Sequence, residues 1–352
     1  MGQPESSQPA AISPVVGQKM SALVLEEPGL LRVCEVDVPL PGPGEILIRV
    51  RAATTCGTDL KAYLRGHPQI PMPGIFGHEY SGTVVAVGEG APFAIGTDVM
   101  GVHSAPCQTC FWCESNQENL CERIMETKVL GSYAEYLLIP AHIARLNVFE
   151  KPASVSFARA ALLEPLACVA QGILELGSLM PYTRVLIIGP GAIGLMFVAA
   201  LRQLGIHDVT LAGRNKRRLA VGEQLGARPL HVSDVPHSLG RGYDVVIECT
   251  GNVEVWQSSI HYARRGGRVM LFGGCPAGTH AAFDTQHLHY QQITILSPFH
   301  FGTRAVQTAR EWLLDPNFHI EAVISGQREI ADAEQVFADL QSGNGIKYLF
   351  RP

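Results

Sequence analysis

The chain has 352 residues, 47% of them hydrophobic and 17% charged, with a formal net charge of -5. That length and apolar content suit two domains with ample core. The mild acidity gives no electrostatic footprint for nucleic acid or an anionic membrane surface, so neither is expected as a partner. Met1 to Gln18 is rich in Gln, Ser and Pro and lacks a basic region followed by an apolar core. Residues 1–18 therefore read as a flexible tail rather than a signal peptide. Nine cysteines without such a signal point to metal ligands and free thiols, and to the cytoplasm, rather than to disulfides.

From Lys19 onward short β-prone runs dominate. Met20 to Leu25 and Leu31 to Val36 read as strands, as does Glu45 to Arg51, where Ile46, Ile48 and Val50 alternate onto one face of a half-buried strand. Pro41-Gly42-Pro43-Gly44 is the turn before it. A short helical piece follows Cys56 through Tyr63, and Gly77 to Gly88 returns to strand. Many short strands with Gly/Pro turns predict a partly closed β-rich domain. Within it lie Cys56 and Gly77-His78-Glu79. A thiol, an imidazole and a carboxylate are what a catalytic Zn²⁺ asks for, with one position left open.

Cys107, Cys110, Cys113 and Cys121 come next, spaced C-x₂-C-x₂-C-x₇-C among mostly polar residues. Four thiolates in one loop can close a tetrahedral shell, so a structural zinc is expected; an iron–sulfur cluster is the less favoured alternative. Ala158 to Leu176 is helical in pattern and carries Glu164-Pro165.

The pattern then changes to strands alternating with helices, the signature of a doubly wound parallel sheet. The longest uncharged apolar run, Val185 to Leu201, is near the lower limit of a membrane span, but Gly189-Pro190-Gly191 interrupts it. It reads instead as a buried strand, the turn Gly189-Pro190-Gly191-Ala192-Ile193-Gly194, and the helix that turn opens. That context is what a G-x-G-x-x-G dinucleotide turn requires. Its glycines give the tight turn, the close approach of a pyrophosphate and the packing of helix on sheet.

At the end of the next strand, Val209 to Ala212, an NAD site usually places an acidic residue for the ribose 2′-OH. Here Gly213-Arg214 stands, followed by Asn215-Lys216-Arg217-Arg218. A small residue beside an arginine suits a 2′-phosphate, so NADP(H) is expected over NAD(H), with Arg214, Arg218 and Thr250 as further cofactor contacts. Arg217 or Arg218 can equally belong to a solvated helix face. Asp244 to Glu248, Arg268 to Phe272 and Ile293 to Leu296 continue the sheet. Two helices and a last strand near Lys347 to Phe350 close the chain.

Taken together, Cys56-Gly57-Thr58-Asp59, Gly77-His78-Glu79, the four-cysteine lobe, Glu164-Pro165-Leu166 and the Gly189 turn resemble the zinc-dependent medium-chain alcohol dehydrogenases, nearest their sorbitol (polyol) and threonine dehydrogenase branch. The resemblance covers nearly the whole chain after the tail. It implies a GroES-like catalytic domain over 19–160 and 300–352, a Rossmann domain over 161–299, and an active site in the cleft. It implies two zincs per chain. The catalytic one would take Cys56 and His78, with Glu79 and Glu164 as ligands directly or through water; Cys168, one helical turn on, could substitute, but reads better as a buried small thiol. Thr58 matches the residue that takes the proton of the bound alcohol, while hydride passes to C4 of the nicotinamide. Lys61 stands where relatives often have a relay histidine.

A substrate pocket is expected from Tyr63, residues near Tyr133, and Phe299-His300-Phe301, with Lys61, Arg65 and His67 able to meet a polar or anionic substrate. The expected function is hydride transfer between a secondary alcohol or polyol and NADP(H). The alternatives are an NAD-dependent threonine- or sorbitol-type enzyme and, outside that class, a non-catalytic nucleotide-binding descendant. The apolar edge at Ile293 to Leu296 predicts a homodimer or homotetramer.

Overall fold

Short apolar runs separated by glycine and proline turns pair as antiparallel strands in the first part of the chain. The computed structural model describes residues 17–234 and 242–352; residues 1–16, most of the expected tail, lie outside the described residues. The chain divides into two units. The first runs through Pro165 and takes back 302–313 and 324–352; the second is 166–301 and 314–323.

In the first unit, Lys19–Glu27 and Leu30–Asp37 form an antiparallel hairpin with Gly74–Ile75 on its other side. The larger sheet runs Ile324–Arg328, Lys347–Phe350, Ile46–Thr54, Glu79–Val87, Asp98–Gly101, Val148–Glu150, with Tyr136–Ile139 also paired to Ile46–Thr54. Ile46–Thr54 departs from the half-buried expectation. Ile46, Ile48 and Val50 face one core, but Leu47 is equally buried, because its face packs on Met20, Ala22, Val38 and Ala86. The strand is thus covered on both faces at Leu47, while the exposed Arg49 and Arg51 keep the expected alternation further along. Ile324–Arg328, unanticipated, pairs in parallel with the last strand.

The expected helix over Ala158–Leu176 is broken into Phe157–Ala160 and Leu163–Leu176. Proline cannot sit in a helix interior without losing a hydrogen bond, but it is tolerated in a first turn. Restarting the helix at Leu163 puts Pro165 there and sets Glu164 at its head.

The second unit carries one six-stranded sheet, ordered Arg228–His231, Val209–Gly213, Val185–Ile188, Tyr243–Glu248, Ala263–Leu271, Thr294–Leu296. Every pairing is parallel. Val185–Ile188 is buried along its length, as a central parallel strand must be. Helices Ala192–Gln203 and Lys216–Gln224 follow its first two strands. Arg228–His231, at the far edge, has no apolar run to announce it; its burial is partial. Among the described residues no helix is long and apolar enough to cross a membrane.

Candidate metal centre and nucleotide site

The candidate metal centre of the first unit is assembled from a helix cap and a strand start. Cys56 caps helix Gly57–Arg65: its sulfur accepts from the Thr58 N–H at 3.4 Å, while the Cys56 N–H donates to Asp59 Oδ2 at 3.0 Å. This reciprocal capping satisfies two helix-end donors and fixes the thiol's direction. Gly77 has φ +89, and a Cβ there would meet the Tyr133 ring at 2.7 Å, so the approach to His78 depends on glycine. Glu79 opens the strand Glu79–Val87. Cys56, His78 and Glu79 offer ligand atoms that all lie within 4.8 Å of one another.

Each of the three is held from behind. Asp59 Oδ1 lies 3.3 Å from His78 Nδ1, and Tyr133 donates its hydroxyl to Asp59 Oδ2 at 2.5 Å. Burial lowers the His78 pKa, but Asp59 and then Cys56 outweigh it and leave the imidazole well above its ordinary range. Glu79 is fully buried and pushed up to about 7, burial prevailing over the attraction of Lys347. Its Oε2 accepts from Lys347 Nζ and from the Thr54 hydroxyl, whereas its buried Oε1 has no hydrogen-bond partner. A buried anionic oxygen without a donor is costly unless a cation meets it. That oxygen, a thiol and an imidazole fit the ligand chemistry of Zn²⁺.

Glu164 stands outside this triplet; its Oε1 is 3.3 Å from His103 Nδ1, and both residues are buried. The His78 and His103 rings meet edge-on at 5.1 Å between centroids. Glu164 also adds to the negative potential that raises Glu79. Thr58 is half-buried.

Cys107, Cys110, Cys113 and Cys121 converge in the same way, all four sulfurs within 4.8 Å of one another. Cys110 and Cys113 sulfurs are 3.6 Å apart, and Cys121 accepts from the Cys107 N–H at 3.2 Å. Hydrogen bonds from Thr109 lower the Cys107 thiol to about 6, while burial and the Cys110 thiol push Cys113 to about 12. Asn116 and Gln108 take φ 58 and 63, the left-handed bends that fold so short a loop back on itself. Asparagine tolerates that region better than most non-glycine residues.

The second unit shapes the candidate nucleotide site. Gly189 has φ +111, and a Cβ on Gly194 would lie 2.0 Å from the Gly189 carbonyl oxygen. Over Gly191 nothing lies within 4 Å of such a Cβ, leaving the backbone open where a pyrophosphate would approach. Pro190, Ala192 and Ile193 complete the turn, and Gly191 caps helix Ala192–Gln203.

Gly213 has a local packing reason of its own: a Cβ there would strike the Pro190 ring at 2.3 Å. The exposed Arg214 lines a cavity of about 550 Å³ with Thr250, Gly251, Asn252, Pro276 and Thr279. Thr250 is fixed by Glu248, whose carboxylate accepts from its N–H and hydroxyl and from the Gly251 N–H. Arg217 is exposed on helix Lys216–Gln224, and Arg218, half-buried, is depressed by desolvation.

Sequence reasoning assigned no role to Asp59, Thr54, Lys347, His103 or Glu248. Asp59 was recoverable as the third helical residue of a capping box, and Lys347 as the one charge in the apolar strand Lys347–Phe350. Of the region expected to line the pocket, Tyr63 is half-buried against the core. Tyr133 is fully buried, and Tyr63 stacks on Phe337 with centroids 5.2 Å apart. Phe301 is also buried, whereas Phe299 is 51% exposed and His300 has φ 57.

Comparison with known proteins gives two matches to family models: an alcohol dehydrogenase GroES-like domain over residues 42–149 and a zinc-binding dehydrogenase domain over 192–315. The chain is 31% identical over 327 residues to an L-threonine 3-dehydrogenase of Coxiella burnetii, covering 88% of this chain and 93% of that protein. Among solved structures, one described as a zinc-binding dehydrogenase from Sinorhizobium meliloti 1021, bound to NADP, aligns with a TM-score of 0.84 at 29% identity. It covers 95% of this chain and all of that one. The alcohol dehydrogenase TADH from Thermus sp. ATN1 aligns with a TM-score of 0.84 at 28% identity, covering 94% of this chain and 99% of that one.

Proposed function

This chain belongs to the zinc-dependent medium-chain alcohol dehydrogenase family, and on that premise we propose that it transfers hydride between a secondary alcohol or polyol and NADP(H). The observation that carries the reading is the convergence of Cys56, His78 and Glu79, with one buried carboxylate oxygen lacking a donor. A descendant that only bound nucleotide would have no use for such a cluster. Cys56, His78 and Glu79 hold the catalytic metal, with Glu164 joining directly or through water. Cys107, Cys110, Cys113 and Cys121 hold a structural one.

When bound, Zn²⁺ supplies the Lewis acid that makes the alcohol more acidic, and NADP⁺ supplies the hydride acceptor. The chain's own residues do the rest. Asp59 and Tyr133 fix the ring of His78, and Thr58, in the first turn after Cys56, takes the proton from the alcohol. The Gly189–Gly194 turn receives the pyrophosphate and Arg214 the 2′-phosphate, a reading supported by the NADP-bound relative.

Lys61, Arg65 and Lys128 surround His67; burial first, and then these cations, hold it below its ordinary value. Such a cluster favours a substrate with a polar or anionic substituent. A threonine-type substrate, whose carboxylate would meet it, is therefore the second reading, favoured also by the relatives of that name.

The test is a spectrophotometric screen of secondary alcohols, polyols and L-threonine with NADP⁺ and NAD⁺, before and after chelation. Turnover with NADP⁺ that is lost to a chelator and restored by Zn²⁺ is the expected result. Zinc-loaded protein inert toward the whole panel with both cofactors would refute the reading.

A further inference from the structure

Lys347 is the first residue of the last strand, which pairs with Ile46–Thr54 and so brings the end of the chain to the metal centre. It is 1% exposed, yet lysine almost never enters a protein interior unless paired. Its ammonium lies 2.5 Å from Glu79 Oε2 and 2.5 Å from the Thr55 carbonyl oxygen. The Thr54 hydroxyl donates to the same Oε2. Two donors therefore hold one oxygen of Glu79, while Oε1 has none. The carboxylate's asymmetry is built by residues remote in sequence, not by its own strand.

The charge balance points the same way. Cys56 as thiolate, Glu79 and Glu164 bring three negative charges, and all three act on Lys347. Against a divalent cation that leaves one negative charge buried in excess, which a low-dielectric interior penalises strongly. The buried Asp59 carboxylate behind His78 adds a further negative charge, and the ammonium at Lys347 offsets one of this excess. The ammonium's place matters as much as its charge. By binding Oε2 it denies the metal a second oxygen from Glu79, and a carboxylate held by one oxygen leaves a coordination position for the alcohol.

We propose that Lys347 is a positioning residue of the metal centre: it grips Oε2 of Glu79 so that this carboxylate meets the metal through Oε1 alone and a position stays open for substrate. The proposal rests on the assignment of Cys56, His78 and Glu79 as metal ligands. Because Lys347 acts through Glu79, it never touches the substrate, and its loss matters only while residue 79 is a carboxylate.

The test uses the full chain loaded with Co²⁺, whose visible bands report coordination number, in the wild type, Lys347→Met, Glu79→Gln and the double variant. Lys347→Met is expected to weaken the cobalt d–d bands as the freed carboxylate adds a second oxygen. Its kcat should fall about 10- to 100-fold, the usual effect of losing a partner behind a metal ligand. In the Glu79→Gln background the same substitution is expected to leave the spectrum unchanged. That comparison also serves if the single Lys347→Met variant fails to fold, because the neutral amide removes the uncompensated charge. A wild-type spectrum in folded Lys347→Met, or a spectral change from Lys347→Met in the Glu79→Gln background, would overturn the proposal. If Cys56→Ser removes no cobalt signal from the wild type, the ligand assignment itself fails, which is a different result.

Discussion

Asp59 performs two tasks with one carboxylate. Oδ2 closes the helix cap on Cys56 and Oδ1 orients His78, so a change there disturbs a thiol and an imidazole together. The pairing of a metal-binding histidine with a buried carboxylate fixes the ring tautomer and strengthens the ligand. Arg214 is the opposite case, an exposed side chain with one task. A hydrogen bond to a charged group contributes about 1.5–3 kcal/mol, so Arg214→Ala should weaken NADPH binding by roughly 10- to 100-fold. NADH, which lacks the 2′-phosphate, should bind as before. A fluorescence titration of both cofactors against both proteins checks this, and equal losses for the two would place Arg214 elsewhere than at the 2′-phosphate.

The elements differ in how openly their sequences declared them. The Gly189 turn was plain, because strand, glycines and helix lie consecutively and the constraint is local. Gly194→Ala puts a Cβ 2.0 Å from a carbonyl oxygen, which the backbone can relieve only by moving. Calorimetry should show cofactor binding to Gly194→Ala reduced beyond detection, with zinc content unchanged. Undiminished binding would mean that this turn does not carry the nucleotide. The convergence of the four-cysteine lobe was equally legible, since its cysteines fall within fifteen residues of chain.

Harder to see were the helix break before Pro165, the partly buried edge strand Arg228–His231, and the strand Ile324–Arg328, whose partner Lys347–Phe350 supplies its pattern only in three dimensions. The supports of the metal centre were hidden for the same reason. Lys347 and Glu79 are 268 residues apart, and nothing local in either strand predicts the other. An aromatic near a ligand motif, such as Tyr63, fits a pocket wall and a core equally well, so sequence alone does not separate the two.

At the scale of the whole molecule, the sheet of the second unit ends in the short strand Thr294–Leu296, with one edge unpaired among the described residues. Such an edge is a template for a second copy, and two-fold pairing there would continue the sheet across a dimer. Light scattering on the purified protein should give twice the chain mass of 38.0 kDa, or four times if dimers pair. Ile295→Lys should shift it toward monomer, and a wild-type monomer would contradict this use of the edge.

The central claim is that the first unit holds two zinc sites, one closed by four cysteines and one assembled by Cys56, His78 and Glu79 for catalysis. Zinc per chain, measured by plasma mass spectrometry on the wild type, Cys56→Ser and Cys110→Ser, tests it most directly. The expected values are about two, one and one, following the two candidate ligand clusters, with each variant losing a different zinc. Wild-type protein with a single zinc, unchanged in Cys56→Ser, would contradict it.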